Sequence, residues 1–447
     1  METRYQAARQ RFSRTQKFVG FSALLLCAYG IAFEPIGLIR AVTIFFIASS
    51  LAFLLLRTTA TLVMMRDGEA PPPPSTGEPL SFTLLCPLYR EADGINNLLR
   101  SLRYLDYPEE QVEIVLLLEA DDDETANAIT EPLDGVQIII NTAIGPRTKP
   151  NALNLGLAAA SGQVIGVYDA EDRPDPGQLS MVNDAMHHDP RVACVQARLN
   201  YYNRDETILT RLFCLEYSLH FDYMLPGLVR LGLPIPLGGT SNFVRREALE
   251  AVGGWDAYNV TEDADLGLRL SQAGYKLTTI PSNTFEEATE HARPWIKQRS
   301  RWLKGYLQTW LVHTRRFAAP RDAIVLHAVL GAVVANALLA PPFAIAFAFW
   351  VSTRSPLLDP VFTGWVGPAS LALLIGGNAL HAWLLVMAPL GRGWYRLAMS
   401  GLLLPVYWTL QSAAAYRAVF SFIRTPHYWA KTDHTAGEMP VQEAARA

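Results

Sequence analysis

With 447 residues, half of them hydrophobic and only 18% charged, the chain is too apolar for a soluble globule of its length, and the excess belongs in a membrane. A formal net charge of −4, without any long Lys/Arg block interleaved with aromatics, argues against nucleic acid as a partner. The four cysteines, Cys27, Cys86, Cys194 and Cys214, lack C-x-x-C spacing, so a metal knuckle or disulfide framework is not expected and reduced, buried thiols are.

Arg4, Arg9, Arg11, Arg14 and Lys17 precede an apolar run over 18–33, and a second run over 41–56 follows almost at once. A signal peptide would need a small-residue cleavage site after the first run, and none follows. The pattern predicts a transmembrane hairpin over 1–66, with both ends cytoplasmic because basic residues, including Arg57 and Arg66, flank it. Residues 67–79, with Pro71 to Pro74 in succession, read as a stiff linker.

From residue 80 the texture changes. Apolar strands are expected at 81–87, 114–118, 136–140 and 164–168, and helices at 91–105 and 151–160. That alternation predicts an α/β fold with a mostly parallel sheet covered by helices on both faces, and ligands in such sheets bind beyond the carboxyl ends of the strands. Polar residues collect there: Tyr89 and Glu91, then Glu119 with Asp121 to Glu124, then Asp169, Glu171 and Asp172. Asp121 to Glu124 reads equally as a solvated loop. Asp169 and Glu171, two apart in an extended segment, can converge on one hard cation while a diphosphate supplies further oxygens. Lys149, near a helix start, is either a diphosphate contact or a surface lysine.

Leu233 to Asn242 is rich in Pro and Gly, which suits a loop closely approached by a ligand. Thr261 is placed to cap a helix ending near Gly274, which puts Asp263 in the first turn, where the helix dipole favours an ionised carboxylate able to act as a general base. Gln298, Arg301 and Trp302 fall at i, i+3 and i+4 and share a helical face. The same stretch, with Trp295, Lys297, Arg299, Lys304, Tyr306 and Trp310, equally fits an amphipathic helix on a membrane surface.

In this order these residues resemble a processive family 2 glycosyltransferase of the GT-A type, the group of cellulose, chitin and hyaluronan synthases. The resemblance rests on Pro87, Tyr89 and Glu91, Glu119, Lys149, Asp169-Ala170-Glu171, Thr261-Glu262-Asp263 and the Q-x-x-R-W match at Gln298, Arg301 and Trp302. It implies that Pro87, Tyr89, Glu91 and Glu119 hold the nucleobase and ribose, with Lys149 and Asp169 on the nucleotide sugar. Asp169 and Glu171 would hold Mg2+ or Mn2+, and Asp263 would be the base. Glu262, Gln298, Arg301 and Trp302 would serve the acceptor and diphosphate. Glu119 and Glu171 each replace a more usual aspartate. The implied partners are a nucleotide-diphosphate sugar (a UDP-sugar foremost), a growing polysaccharide or lipid acceptor, the bilayer, and envelope or secretion proteins.

The expected organisation is a catalytic domain over 80–293, an interfacial helix over 294–322, a transmembrane region over 323–424 and a cytoplasmic tail over 425–447. Apolar stretches at 323–351, 366–389 and 397–423 can each span a bilayer. Pro341-Pro342 and Pro405 are places where a stretch could break into a hairpin, giving five or six crossings in all. His381 is expected to face the protein interior. The expected function is a multi-pass inner-membrane enzyme, its catalytic domain cytoplasmic, that elongates a β-linked polysaccharide by inverting transfer. A single-transfer glycolipid synthase is the alternative, and a non-catalytic nucleotide-sugar sensor or transporter a third reading.

Overall fold

The structure, a computed structural model, describes residues 5–142, 146–315 and 319–428. Helix α1 (Arg14–Phe33) opens on a capping box in which Ser13 Oγ accepts the Gln16 N–H and the Gln16 side chain accepts the Ser13 N–H. Only Glu34 separates it from α2 (Pro35–Asp67), which starts on a proline whose missing N–H costs nothing there. Gln16 Nε2 donates to Leu311 O at 2.6 Å, while Ala60 near the other end abuts Gly227. The pair therefore leaves the α/β domain and returns to it.

That domain carries β1 (Phe82–Leu88), α3 (Ile95–Arg103), β2 (Val112–Glu119), α4 (Asp123–Asn127), β3 (Val136–Asn141), α5 (Lys149–Ala159), β4 (Val164–Val167), β5 (Arg173–Pro174), α6 (Gln178–His188) and β6 (Val192–Tyr201). Then come α7 (Ile208–Leu219), α8 (Leu225–Arg230), β7 (Asn242–Arg245), α9 (Arg246–Ala251), α10 (Glu262–Gln272), β8 (Lys276–Glu286) and α11 (Ala292–His313). The eight strands form one sheet in the order β3-β2-β1-β4-β7-β6-β8-β5. The β3-β2-β1-β4 half is parallel; β7 runs antiparallel to both β4 and β6, so the whole sheet is mixed. Leu84, Cys86 and Leu88 pack with α3 and α6, and Leu85 and Val115 pack with α5 and the helices below. Burial on both faces is why these strands read as continuous apolar runs.

Beyond α11 lie α12 (Pro320–Val325), α13 (Ala332–Thr353), α14 (Asp359–Phe362), α15 (Val366–Ala372), α16 (Asn378–Met387), α17 (Tyr395–Ala398) and α18 (Leu404–Arg424). Among the described residues four helices are long and apolar enough to cross a membrane: Arg14–Phe33, Pro35–Asp67, Pro320–Thr353 and Val366–Arg392. The third continues through Pro341 and Pro342, so no hairpin forms there. Pro342 frees the carbonyl of Leu338, and Tyr416 Oη donates to it at 2.7 Å, which removes the reason to break. Pro405 starts α18 instead of interrupting a span. The stretch expected over 397–423 divides into short turns and α18, which carries Gln411, Arg417 and Arg424.

Helix α18 packs along α11. Trp295, Arg299 and Lys304 of α11 are buried against neighbours, so this helix is enclosed and does not lie open on a surface. Past α18, Pro426 O accepts from Gln308 Nε2 at 2.9 Å and Tyr428 O from Lys304 Nζ at 2.7 Å, which places 426–428 on the α/β domain. The rest of the expected tail, from residue 429, lies outside the described residues.

Candidate active site

Parallel strands end on one edge, so β3, β2, β1 and β4 present Asn141, Glu119, Leu88-Tyr89 and Tyr168-Asp169 in a line. Glu119 lies opposite Asn141 in the ladder and accepts its Nδ2–H at 2.9 Å. Burial pushes the Glu119 carboxyl up, against the amide bond from Asn141. The loop after β1 turns at Arg90, whose φ of 57° is left-handed and unusual for a residue with a side chain. Asp122 holds that turn: its carboxylate accepts the Arg90 N–H and also the Thr125 N–H, and Thr125 Oγ1 accepts the Glu91 N–H at 2.9 Å. The acidic run after β2 is thus divided. Asp122 is a buried pin, while exposed Asp121 pairs with Arg147. Pro87 is the penultimate residue of β1, and the Arg90 guanidinium stacks 5.1 Å from the Tyr89 ring.

The β4 end carries the acids. Asp172, fully buried, accepts the Asp169 N–H on Oδ2 at 2.6 Å and the Thr240 hydroxyl on the same oxygen, fixing the Asp169-Ala170-Glu171 turn. Lys149 opens α5, and its Nζ lies 2.5 Å from Asp169 Oδ1 and 2.7 Å from Gly239 O. It is not a surface lysine: its side chain is only 11% exposed. Burial opposes its charge, yet Asp169 and Glu262 more than offset this and hold the ammonium above its usual range. Asp169 is held above the carboxylate range by burial, with Lys149 lowering it and Glu171 raising it. Glu91 and Glu171 line one cleft with Arg90, Arg173, Tyr202 and Glu287.

Gly239 marks where the halves meet, since a methyl placed there would be 3.4 Å from Asp263 Oδ2 and 3.8 Å from Lys149 Nζ. Asp263, partly exposed in the first turn of α10, accepts the Ala264 N–H at 2.8 Å. Burial pushes its carboxyl up to about 6, opposed by that N–H, Lys149 and Arg301. Glu262 is pushed up to about 7 by burial and then by Asp263. Thr261 sits at the cap position but makes no capping bond. Its side chain is turned onto Gly305 of α11, where a Cβ would come within 2.4 Å of it. The α10 start is set by α11 instead: Val260 N–H donates to Gln308 Oε1 at 3.1 Å and Asn259 Nδ2 to Thr309 Oγ1 at 2.8 Å.

Burial pulls the Arg301 guanidinium down while Glu262, Asp169, Asp263 and Glu171 pull it up, so it faces all four acids. Gln298 is buried on the same helix. Trp302 is half-buried among Phe213 and Tyr217, with ring centroids 5.9 and 6.2 Å away and the Arg299 guanidinium 4.6 Å from its ring. Arg299 forks onto Glu216 at 2.9 and 2.8 Å, which makes it a structural tie between α11 and α7.

Among the described residues no three His, Cys, Asp or Glu side chains are placed to hold a metal by themselves. The donor set nevertheless fits a divalent cation completed by substrate oxygens. Burial, then Asp172, Glu171 and Asp169, hold Glu286 well above the carboxylate range, and Asp172 is likewise raised by burial, Asp169 and Glu171. That excess of clustered negative oxygen is the environment a hard cation relieves. Asp122 and Asp172 were visible in the sequence only as acids at strand ends, without a role, and Asn141 and Glu286 were not singled out.

A family model described as "Glycosyl transferase family group 2" matches residues 164–423. The chain belongs to this family. Its fold is the GT-A α/β domain accompanied by apolar helices. It is 26% identical over 397 residues to a Beta-monoglucosyldiacylglycerol synthase of Synechocystis sp., covering 84% of this chain and 81% of the relative. It is 27% identical over 229 residues to a Poly-beta-1,6-N-acetyl-D-glucosamine synthase of Staphylococcus aureus, covering 51% and 54%. For several curated relatives the chain spans little more than half of their length. A solved mannosyltransferase from Pyrobaculum calidifontis, in complex with GDP-Man and Mn2+, shares the fold with a TM-score of 0.59 at 22% identity, covering 86% of this chain and 99% of that one.

Proposed function

We propose that this glycosyltransferase works by single displacement at the cleft around Gly239. The observation that carries the reading is the convergence of Asp263, Lys149 and Asp169 there, with Arg301 facing the acids. Asp263 takes the proton of an acceptor hydroxyl, the freed oxygen pair bonds to the anomeric carbon, and the bond from that carbon to the diphosphate breaks with inversion. Lys149 and Arg301 hold the charge of the departing nucleoside diphosphate. Asp169 and Glu171 would hold Mg2+ or Mn2+, which when bound supplies further charge neutralisation. Pro87, Tyr89, Glu91 and Glu119 line the strand ends toward the nucleobase, and a UDP-sugar is the first donor to try. Gln298 and Trp302 face the acceptor.

We read the enzyme as membrane-embedded with its catalytic domain, 80–293, on the cytoplasmic side, a reading supported by the four long apolar helices and by the basic residues that flank the first two. For the acceptor, the reading from the motifs is a growing β-linked polysaccharide. A single transfer to a lipid is favoured by one observation: similarity to the Synechocystis glycolipid synthase extends over 84% of this chain. Membranes carrying the protein are incubated with labelled UDP- and GDP-sugars, and products are resolved by length and by organic extraction. An extractable lipid bearing one sugar sinks the polymer reading, a ladder of long products sinks the lipid reading, and no transfer from any nucleotide sugar sinks both.

A further inference from the structure

Arg57 sits in α2 and is only 6% exposed. Its Nη1 donates to His381 Nε2 of α16 at 2.8 Å, and its Nε has no hydrogen-bond partner. Among the described residues no carboxylate pairs with it. The carboxylate that acts on it is Glu216 of α7, but Arg299 grips that carboxylate with two bonds while Tyr407 Oη and Gln411 Nε2 donate to it as well. A neutral imidazole satisfies one N–H of Arg57 but brings no charge, which leaves only the shared Glu216 carboxylate against this buried cation, an unfavourable arrangement.

The walls around the guanidinium are aromatic. Its carbon lies 5.4 Å from the Phe53 ring, and His381 stacks on Trp408 of α18 at 5.2 Å with 16° between the planes. His381, Trp408 and Gln411 are only partly buried, so the outer edge of this cluster reaches the surface of the helices. Its depth is telling. A bilayer core takes up about 20 helical residues, roughly 30 Å, so a span entering at Pro35 leaves the hydrocarbon just before Arg57. Three residues on, Ala60 meets Gly227 of the α/β domain. Arg57 is therefore at the height of lipid headgroups on the side of that domain.

We propose that Arg57, His381 and Trp408 form a site for the phosphate of an anionic phospholipid. The guanidinium supplies the charge for the phosphate oxygens, His381 the partly exposed edge, and the Phe53 and Trp408 rings flank the glycerol and upper acyl chain. This goes beyond the transfer reaction, which needs no such site, but rests on the membrane placement proposed above.

The test uses the full chain extracted in detergent and incubated, without nucleotide sugar, with equal parts phosphatidylglycerol and phosphatidylcholine. Lipids retained after gel filtration are counted by native mass spectrometry. Wild type should retain phosphatidylglycerol over phosphatidylcholine by about tenfold, Arg57→Gln should lose that preference, and Arg57→Lys should keep part of it. Equal preference in wild type and Arg57→Gln overturns the site, as does displacement of the lipid by excess inorganic phosphate. If Arg57→Gln does not fold, the melting temperature of wild type decides: it should rise with phosphatidylglycerol and not with phosphatidylcholine, and an equal response overturns the site. Recovery of the chain in the soluble fraction would instead sink the membrane placement.

Discussion

The Lys149 ammonium stands 2.5 Å from Asp169 Oδ1 and donates at the same time to Gly239 O, so one buried cation joins the end of β4 to the loop that faces Asp263. Replacing it with methionine keeps the length and removes the charge. Lys149→Met should raise KM for the nucleotide sugar and lower kcat together, with kcat/KM down about a hundredfold, consistent with the loss of a charge-assisted contact. Steady-state kinetics over a donor titration measure both. An unchanged KM would remove Lys149 from the donor site.

Asp263→Asn keeps shape and loses the proton acceptor. Turnover should fall by about 10²- to 10⁴-fold while donor binding, read by calorimetry with the nucleoside diphosphate, stays within a few-fold. Because burial pushes this carboxyl up to about 6, wild-type activity should fall as pH drops through about 6, the point below which the base is protonated. A profile flat from pH 5 to 8 would exclude Asp263 as the base.

Glu262 shows the opposite side of such burial. Its folded-state carboxyl sits near 7, above the usual value of the unfolded chain, so the folded state binds more protons between about pH 4 and 7 and loses stability as pH rises across that window. Glu262→Gln should therefore raise the melting temperature at pH 8, by the equivalent of about 1–3 kcal/mol, and change it little at pH 4. Thermal unfolding at the two pH values gives the comparison.

Chelation with EDTA should abolish transfer, and Mn2+ or Mg2+ should restore it, because Asp169, Glu171, Asp172 and Glu286 crowd negative charge that Lys149 and Arg301 only partly balance. Full activity after exhaustive chelation would remove the cation from the proposal.

Gly227 of α8 touches α2 so closely that a Cβ would lie 2.1 Å from Ala60 O. Gly227→Ala must push the helix and the domain apart and should lower stability by about 1–3 kcal/mol, measured as a drop in melting temperature in detergent. Gly177→Ala, at a position with open space and an ordinary φ of −82°, serves as the control and should leave the melting temperature nearly unchanged.

The parallel half of the sheet was legible because β1, β2 and β4 are buried on both faces and their apolar runs are unbroken. The line of strand-end residues followed from that, since parallel strands must end together. What did not follow were the pairings. Nothing local distinguishes Asp122, which pins the Arg90 turn, from Asp121 beside it, which pairs with Arg147 at the surface. Arg299 and Arg301 look alike in sequence, yet a two-residue step turns one toward Glu216 and the other toward the acids. Thr261 has the residue type of a cap, but contact with Gly305 decides its orientation. The proline pair at 341–342 read as a break because its remedy, Tyr416, lies on another helix.

The side-chain amide of Gln308 joins two ends of the molecule: its oxygen takes the Val260 N–H just ahead of α10, and its nitrogen reaches Pro426 O just past α18. Together with Thr261 seated on Gly305, this leaves little slack between the last helix and the first turn that carries Asp263. The final helix and the reaction centre are thus braced as one strut, so that any shift of the former carries the start of α10 with it.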